Sequence, residues 1–151
     1  MDGMTVSLAT SEHVSLLLGM MEDFNRIEQI EWTRQRCEPA LRHLLESVDL
    51  GVVGLLVEDE TEAVLGYFVL TWGYDLEFNG RDAFLTELYL MPEARGRGLS
   101  RPFLGRIEAI AREHGVHALN LMVRPEHPAP YRLYTGAGYR SPPRVFLSKD
   151  L

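Results

Sequence analysis

The nine residues from Glu93 to Arg101, EARGRGLSR, set two glycines and three arginines between an apolar run and an amphipathic one. Arg95, Arg97 and Arg101 can surround an anion, and Gly96 and Gly98 let the backbone approach it closely. A turn that ends a strand and opens a helix adds N–H groups with no intrahelical partner, together with the partial positive charge of the helix dipole. Phosphate suits such a turn. Two familiar phosphate patterns do not fit it. A P-loop ends in Gly-Lys-Ser/Thr, and no lysine is near. The dinucleotide pattern G-x-G-x-x-G begins at Gly96-Arg97-Gly98, but Arg101 stands where the third glycine belongs. The lone Cys37 and the scattered His13, His114 and His117 offer no metal-ligand spacing.

The flanking pattern supplies the elements that must hold this turn. Thr5–Ala9 is a short possible strand, and Ser11 is placed to cap a helix that Val14, Leu17, Leu18, Met21 and Phe24 carry to about Ile27. A second helix is expected over roughly Thr33–Ser47. Gly51–Glu58 and Val64–Trp72 form a hairpin around an acidic turn, and Ala83–Met91 is a further strand closed by Pro92. Leu99, Phe103, Ile107, Ile110 and Ala111 mark an amphipathic helix that stops near Gly115. Leu119–Val123 reads as an apolar strand, Pro128–Ala137 as a short helix opened by prolines, and Tyr139 with Arg144–Ser148 as the last strand material. The sum is one α/β domain over residues 1–151, with a mixed central sheet of six to seven strands flanked by about four helices.

Composition narrows the function classes. With 46% hydrophobic and 25% charged residues, the 151-residue chain has the profile of a soluble globular protein. No apolar run is long enough to span a membrane, nothing resembles a signal peptide, and one cysteine suits a reducing cytoplasm. The net charge of −7 is unevenly divided: residues 1–87 hold 17 acidic and 5 basic side chains, and residues 88–151 hold 5 acidic and 10 basic. That asymmetry suits an anion held by the second half and a cation drawn by the first. The acidic pI of about 5.2 and the lack of a basic face with stacking aromatics argue against a nucleic-acid partner.

The stretch LYLMPEARGRGLS resembles the acetyl-CoA motif of the GNAT superfamily of N-acetyltransferases, Arg/Gln-x-x-Gly-x-Gly/Ala, with Arg95 and Gly98 on the motif and Ser100 in its last slot. Downstream, YRLYTGAGY is similar to the family's second marker through Leu133, Tyr134, Gly138 and Tyr139. The resemblance is good from Phe84 to Tyr139. It implies that the backbone of Gly96, Arg97, Gly98, Leu99, Ser100 and Arg101 binds the pyrophosphate of coenzyme A. It also implies that the pantetheine arm runs beside Leu88, Tyr89 and Leu90 as an added strand would. Where many relatives have an asparagine that contacts the cofactor, this chain has His127, which either donates a hydrogen bond there or is an exposed loop histidine.

Acetyl transfer to an amine needs a base to free the nucleophile, a donor for the charge developing on the carbonyl oxygen, and a proton for the departing thiolate. By the resemblance, Tyr134 is the general acid, and Leu88 or Leu90 offers the N–H. Glu87, which interrupts the apolar strand FLTELYL, is the candidate base, acting through water; its alternative is an outward-facing strand residue. The family's acceptor wall falls on a region that is here acidic and aromatic: Glu28, Glu31, Trp32, Trp72, Tyr74 and Asp75. Acid plus aromatic suits a cationic amine. The expectation is an acetyl-CoA-dependent N-acetyltransferase acting on a small-molecule or peptide amine, with a homodimer possible. A non-catalytic acyl-CoA sensor is the alternative.

Overall fold

Two apolar runs, Gly51–Val57 and Val64–Leu70, lack the in–out alternation of a sheet with one wet face. Strands of this kind are buried on both sides. In the computed structural model, which describes residues 1–151, they are the centre of one five-stranded sheet with helices on each face. The strands are β1 (Met4–Leu8), β2 (Gly51–Glu58), β3 (Val64–Asp75), β4 (Gly80–Leu90) and β5 (Ala118–Asn120), in that spatial order. Every neighbouring pair is antiparallel except β4–β5, which is parallel. The helices are α1 (Val14–Ile27), α2 (Arg34–Glu46), α3 (Ser100–Glu113) and α4 (Pro128–Gly136).

Each face has its own apolar cluster. On one, Phe103, Leu104 and Ile107 of α3 pack against Leu56, Phe68, Leu70 and Leu85. On the other, Leu17, Leu18 and Met21 of α1 and Leu41 of α2 pack against Leu55, Tyr67, Val69 and Tyr89. Residue parity decides which side chain meets which layer, and it changes once within β4. Leu70 pairs with Leu85, but Val69 pairs with Glu87, so Thr86 is the extra residue of a β-bulge. Without it, Leu85 and Glu87 would share a face. With it, Leu85 stays with α3 while Glu87 turns toward α1 and α2.

The sheet is smaller than the six to seven strands expected. Leu121, Met122 and Val123 join no ladder, because β5 pairs with β4 only from Asp82 to Phe84 and β4 bulges two residues later. Arg144–Ser148 forms no strand either. Pro142 and Pro143 precede it, and neither has an N–H to offer a ladder. At the start of the chain Thr10 rather than Ser11 is the N-cap: its hydroxyl accepts from the Glu12 N–H at 3.4 Å and its backbone N–H donates to His13 Nδ1 at 2.9 Å. A 3-10 turn at Ser11–His13 therefore precedes α1.

Candidate active site

The short β4–β5 ladder leaves a cleft. Beyond Phe84 the two strands no longer pair, and a cavity of about 550 Å³ opens between the second half of β4, the segment after β5, and the N-terminal ends of α3 and α4. Leu88 and Leu90 form one wall, Met122 and Val123 the other, and Ser100, His127 and Tyr134 close it. The backbone of β4 offers hydrogen bonds to this cleft. Met91 N–H donates to Leu65 C=O on β3 at 2.8 Å, so by alternation the main-chain groups of Leu88 and Leu90 point away from β3. Tyr89, which pairs with Tyr67, turns its side chain to the α1–α2 layer instead.

At one end of the cleft lies the glycine turn. Gly96 and Gly98 both have φ +74, a left-handed conformation that glycine adopts without strain, and a Cβ at either would meet only open space. No side chain caps α3, so its first N–H groups remain available. The turn can thus receive a pyrophosphate on backbone donors. The three arginines do different work from that expected. Arg95 donates from Nε to Leu90 C=O at 2.9 Å and from Nη2 to Asp23 at 3.3 Å, and its guanidinium lies 5.4 Å from the centre of the Tyr89 ring. Arg97 pairs with Glu58 at 3.1 Å, while Arg101 is exposed. Arg95 is therefore a brace that ties the turn to β4 and α1. Asp23, its partner, also accepts from the Tyr89 hydroxyl at 2.6 Å and from Arg26; those bonds, the tyrosine's first, lower its carboxyl below the usual range.

The two proposed proton carriers stand on opposite sides of β4. Tyr134 on α4 lines the cleft with its ring against Tyr139, 5.7 Å between centres, and burial with the nearby Glu28 charge pushes its phenol up to about 12. Glu87 faces the α1–α2 layer, where its carboxylate accepts a 2.7 Å hydrogen bond from the Tyr67 hydroxyl. Burial raises its pKa, against a smaller lowering by that bond. Cys37 is close by, its thiol raised by burial. The Nε1 of Trp32 is buried without a hydrogen-bond partner in the same layer.

Of the six expected acceptor residues, only Glu28 reaches the cleft. Its carboxylate pairs with Arg124 Nε at 3.3 Å, and the Arg124 guanidinium also donates to the Glu28 carbonyl. Glu31 is exposed and Trp32 lies under α1 and α2. Trp72 stacks on His114 at 5.1 Å and donates to Val48 C=O at 2.9 Å. Tyr74 is exposed, and Asp75 borders a different groove. Asp75 lies six strand residues past Val69, the partner of Glu87, or about 20 Å away. Sequence reading missed Asp23, Tyr67 and Arg124, because their partners stand 66, 20 and 96 residues away and no local pattern marks such contacts.

Fold and cleft together define an acyl-CoA-binding α/β protein built around a splayed pair of parallel strands. The model of the acetyltransferase (GNAT) family matches residues 17–139, and the chain belongs to that family. Acetyl-CoA is the family's acetyl donor, and the backbone cradle described above suits it. Among solved structures, an integron cassette protein from the mobile metagenome of Cole Harbour Salt Marsh is 27% identical, with a TM-score of 0.82 over 97% of this chain and 90% of that one. An aminoglycoside N-acetyltransferase in complex with CoA has the same fold at 13% identity, with a TM-score of 0.79 over 97% and 94%. So does a predicted acetyltransferase from Clostridium acetobutylicum with acetyl-CoA, at 18% identity and a TM-score of 0.78 over 97% and 96%. No curated protein matches the sequence. No helix is long and apolar enough to cross a membrane.

Replacing Gly98 with valine places a branched side chain in the open space of the cradle and strains a left-handed residue. Acetyl-CoA affinity, measured by calorimetry on the folded variant, is expected to fall at least tenfold, whereas wild-type affinity would remove the turn from the binding site.

Proposed function

We propose that this acetyltransferase moves the acetyl group of acetyl-CoA to a primary amine by direct attack in a ternary complex, in the cytoplasm. The observation that carries the reading is the arrangement about β4. Tyr134 borders the cleft whose wall is the free backbone of Leu88 and Leu90, while Glu87 lies on the strand's other face. Donor and acceptor can thus approach from opposite sides. The amine nitrogen attacks the thioester carbonyl carbon as the carbon–sulfur bond breaks. Glu87 takes the amine proton through water, the N–H of Leu88 or Leu90 bears the charge on the carbonyl oxygen, and Tyr134 gives its proton to the thiolate. A phenol raised to about 12 stays protonated throughout the working pH range, so it always carries the proton it must give.

Tyr134→Phe keeps the ring and removes the proton. Turnover is expected to fall about 10²–10⁴-fold with acetyl-CoA affinity little changed. Wild-type turnover would overturn the assignment. An acyl-CoA sensor, the alternative reading, would have no turnover with any amine.

Glu87 adds a pH dependence. A base works only when ionised, and burial holds this carboxyl protonated to higher pH than usual. Activity should therefore be lost as pH falls through that raised value, above the ordinary carboxylate range. Glu87→Gln should lower kcat and abolish this limb; an unchanged profile would exclude Glu87 as the base.

We further propose a cationic acceptor, guided by the acidic first half of the chain and by Glu28 at the cleft. Exposed charges are screened over roughly 8–10 Å at ordinary ionic strength. Added salt should raise the KM of a polycationic amine with kcat less affected, and neutralising Glu28 and Glu31 together should imitate it. A preferred substrate that is neutral or anionic at its non-reacting end would refute this.

A further inference from the structure

The outer edge of β5 and the end of the chain are each left without a partner. β5 pairs only with β4, so the N–H and C=O groups on its other side form an open sheet edge. A groove of about 590 Å³ runs along that edge, with Phe84, Val116, Leu119, Ala137 and Tyr139 among its apolar walls. Val145, Phe146 and Leu147 are three consecutive strand-forming residues, and they are 85%, 65% and 87% exposed.

The chain's own path keeps these two features apart. Tyr139 donates to Glu108 in the middle of α3, and Arg144 pairs with Glu77 in the β3–β4 turn at 2.6 Å. Residues 139–144 therefore travel along the groove against the direction of β5 and reach the level where β5 begins. The residues beside β5 are Arg140–Pro143, which include two prolines and make no hydrogen bond to it. By the time the chain reaches residues able to pair, it has passed the end of the strand. Charge also matches across copies. Asp75, Glu77 and Glu108 border the groove, while the C-terminal segment carries Arg140, Arg144 and Lys149 against one acidic side chain, Asp150.

We propose that the Arg144–Ser148 segment of one copy of this chain adds as an edge strand to β5 of a second copy. Main-chain bonds would close the open edge and the tail's apolar side chains would enter the groove. Done reciprocally, the exchange closes as a two-fold dimer.

Light scattering over a concentration series should give twice the 17.2 kDa chain mass. Val145→Asp/Leu147→Asp should give the single-chain mass at the same concentrations, with acetyl-CoA affinity unchanged. Both positions are exposed within one chain, so the fold does not depend on them. In a Cys37→Ser background, a chain with Ala118→Cys mixed with one carrying Val145→Cys should form a disulfide between the two. A single-chain mass at every concentration would overturn the proposal, as would a dimer that survives the double aspartate variant. A chain carrying both cysteines that closes the disulfide on itself would show the tail pairing with its own β5, and would overturn it equally.

Discussion

One inserted residue organises the candidate site. The bulge at Thr86 reverses the parity of β4, so that Leu85, Leu88 and Leu90 serve the α3 layer while Glu87 and Tyr89 serve the α1–α2 layer. It also bends the strand just after its last pairing with β5. Two consequences follow from the same local event. A carboxylate enters the layer of α1 and α2, where burial raises its pKa and Tyr67 bonds it. Two backbone units lose a neighbouring strand and line a cleft instead. An unpaired backbone group is costly when buried, so such a cleft is stable if open to water or filled by a ligand that pairs like a strand.

The cradle for the diphosphate depends on bracing as well as on glycine. Gly96 and Gly98 supply the conformation, but Arg95 sets the turn against the sheet by binding Leu90 C=O and Asp23 together. Because Asp23 belongs to α1 and also holds Tyr89, the donor-side turn and the acceptor-side helix share one network. Individually, exposed ion pairs are worth roughly 0–1 kcal/mol. Their value here is positional.

Charge asymmetry takes on a second meaning in three dimensions. Arg95–Asp23, Arg97–Glu58, Arg124–Glu28 and Arg144–Glu77 each join a basic residue of the second half to an acidic residue of the first. Part of the imbalance thus ties the two halves together. Glu28 belongs to this set, so a cation reaching the cleft there competes with Arg124.

What the sequence determined by itself was local. The unbroken apolar runs of β2 and β3 required strands buried on both faces, the 3.6-residue period around Phe103 and Ile107 required an amphipathic helix, and the two glycines after a strand required a turn open to an anion. Local propensity is legible because it depends on neighbours a few residues away. The position of Tyr134 followed from its marker for the same reason. The tertiary structure decided everything that depends on distant partners. It put Glu87 on the far face of β4 through a bulge that no periodicity announces. It turned Arg95 from an anion ligand into a brace through an aspartate 72 residues earlier. It separated Trp72, Tyr74 and Asp75 from Glu28, because strand length sets how far apart the two ends of β3 lie. It left Arg144–Ser148, a segment with every local mark of a strand, without a ladder. A strand exists only where another edge meets it, and where the edges meet is a property of the whole fold.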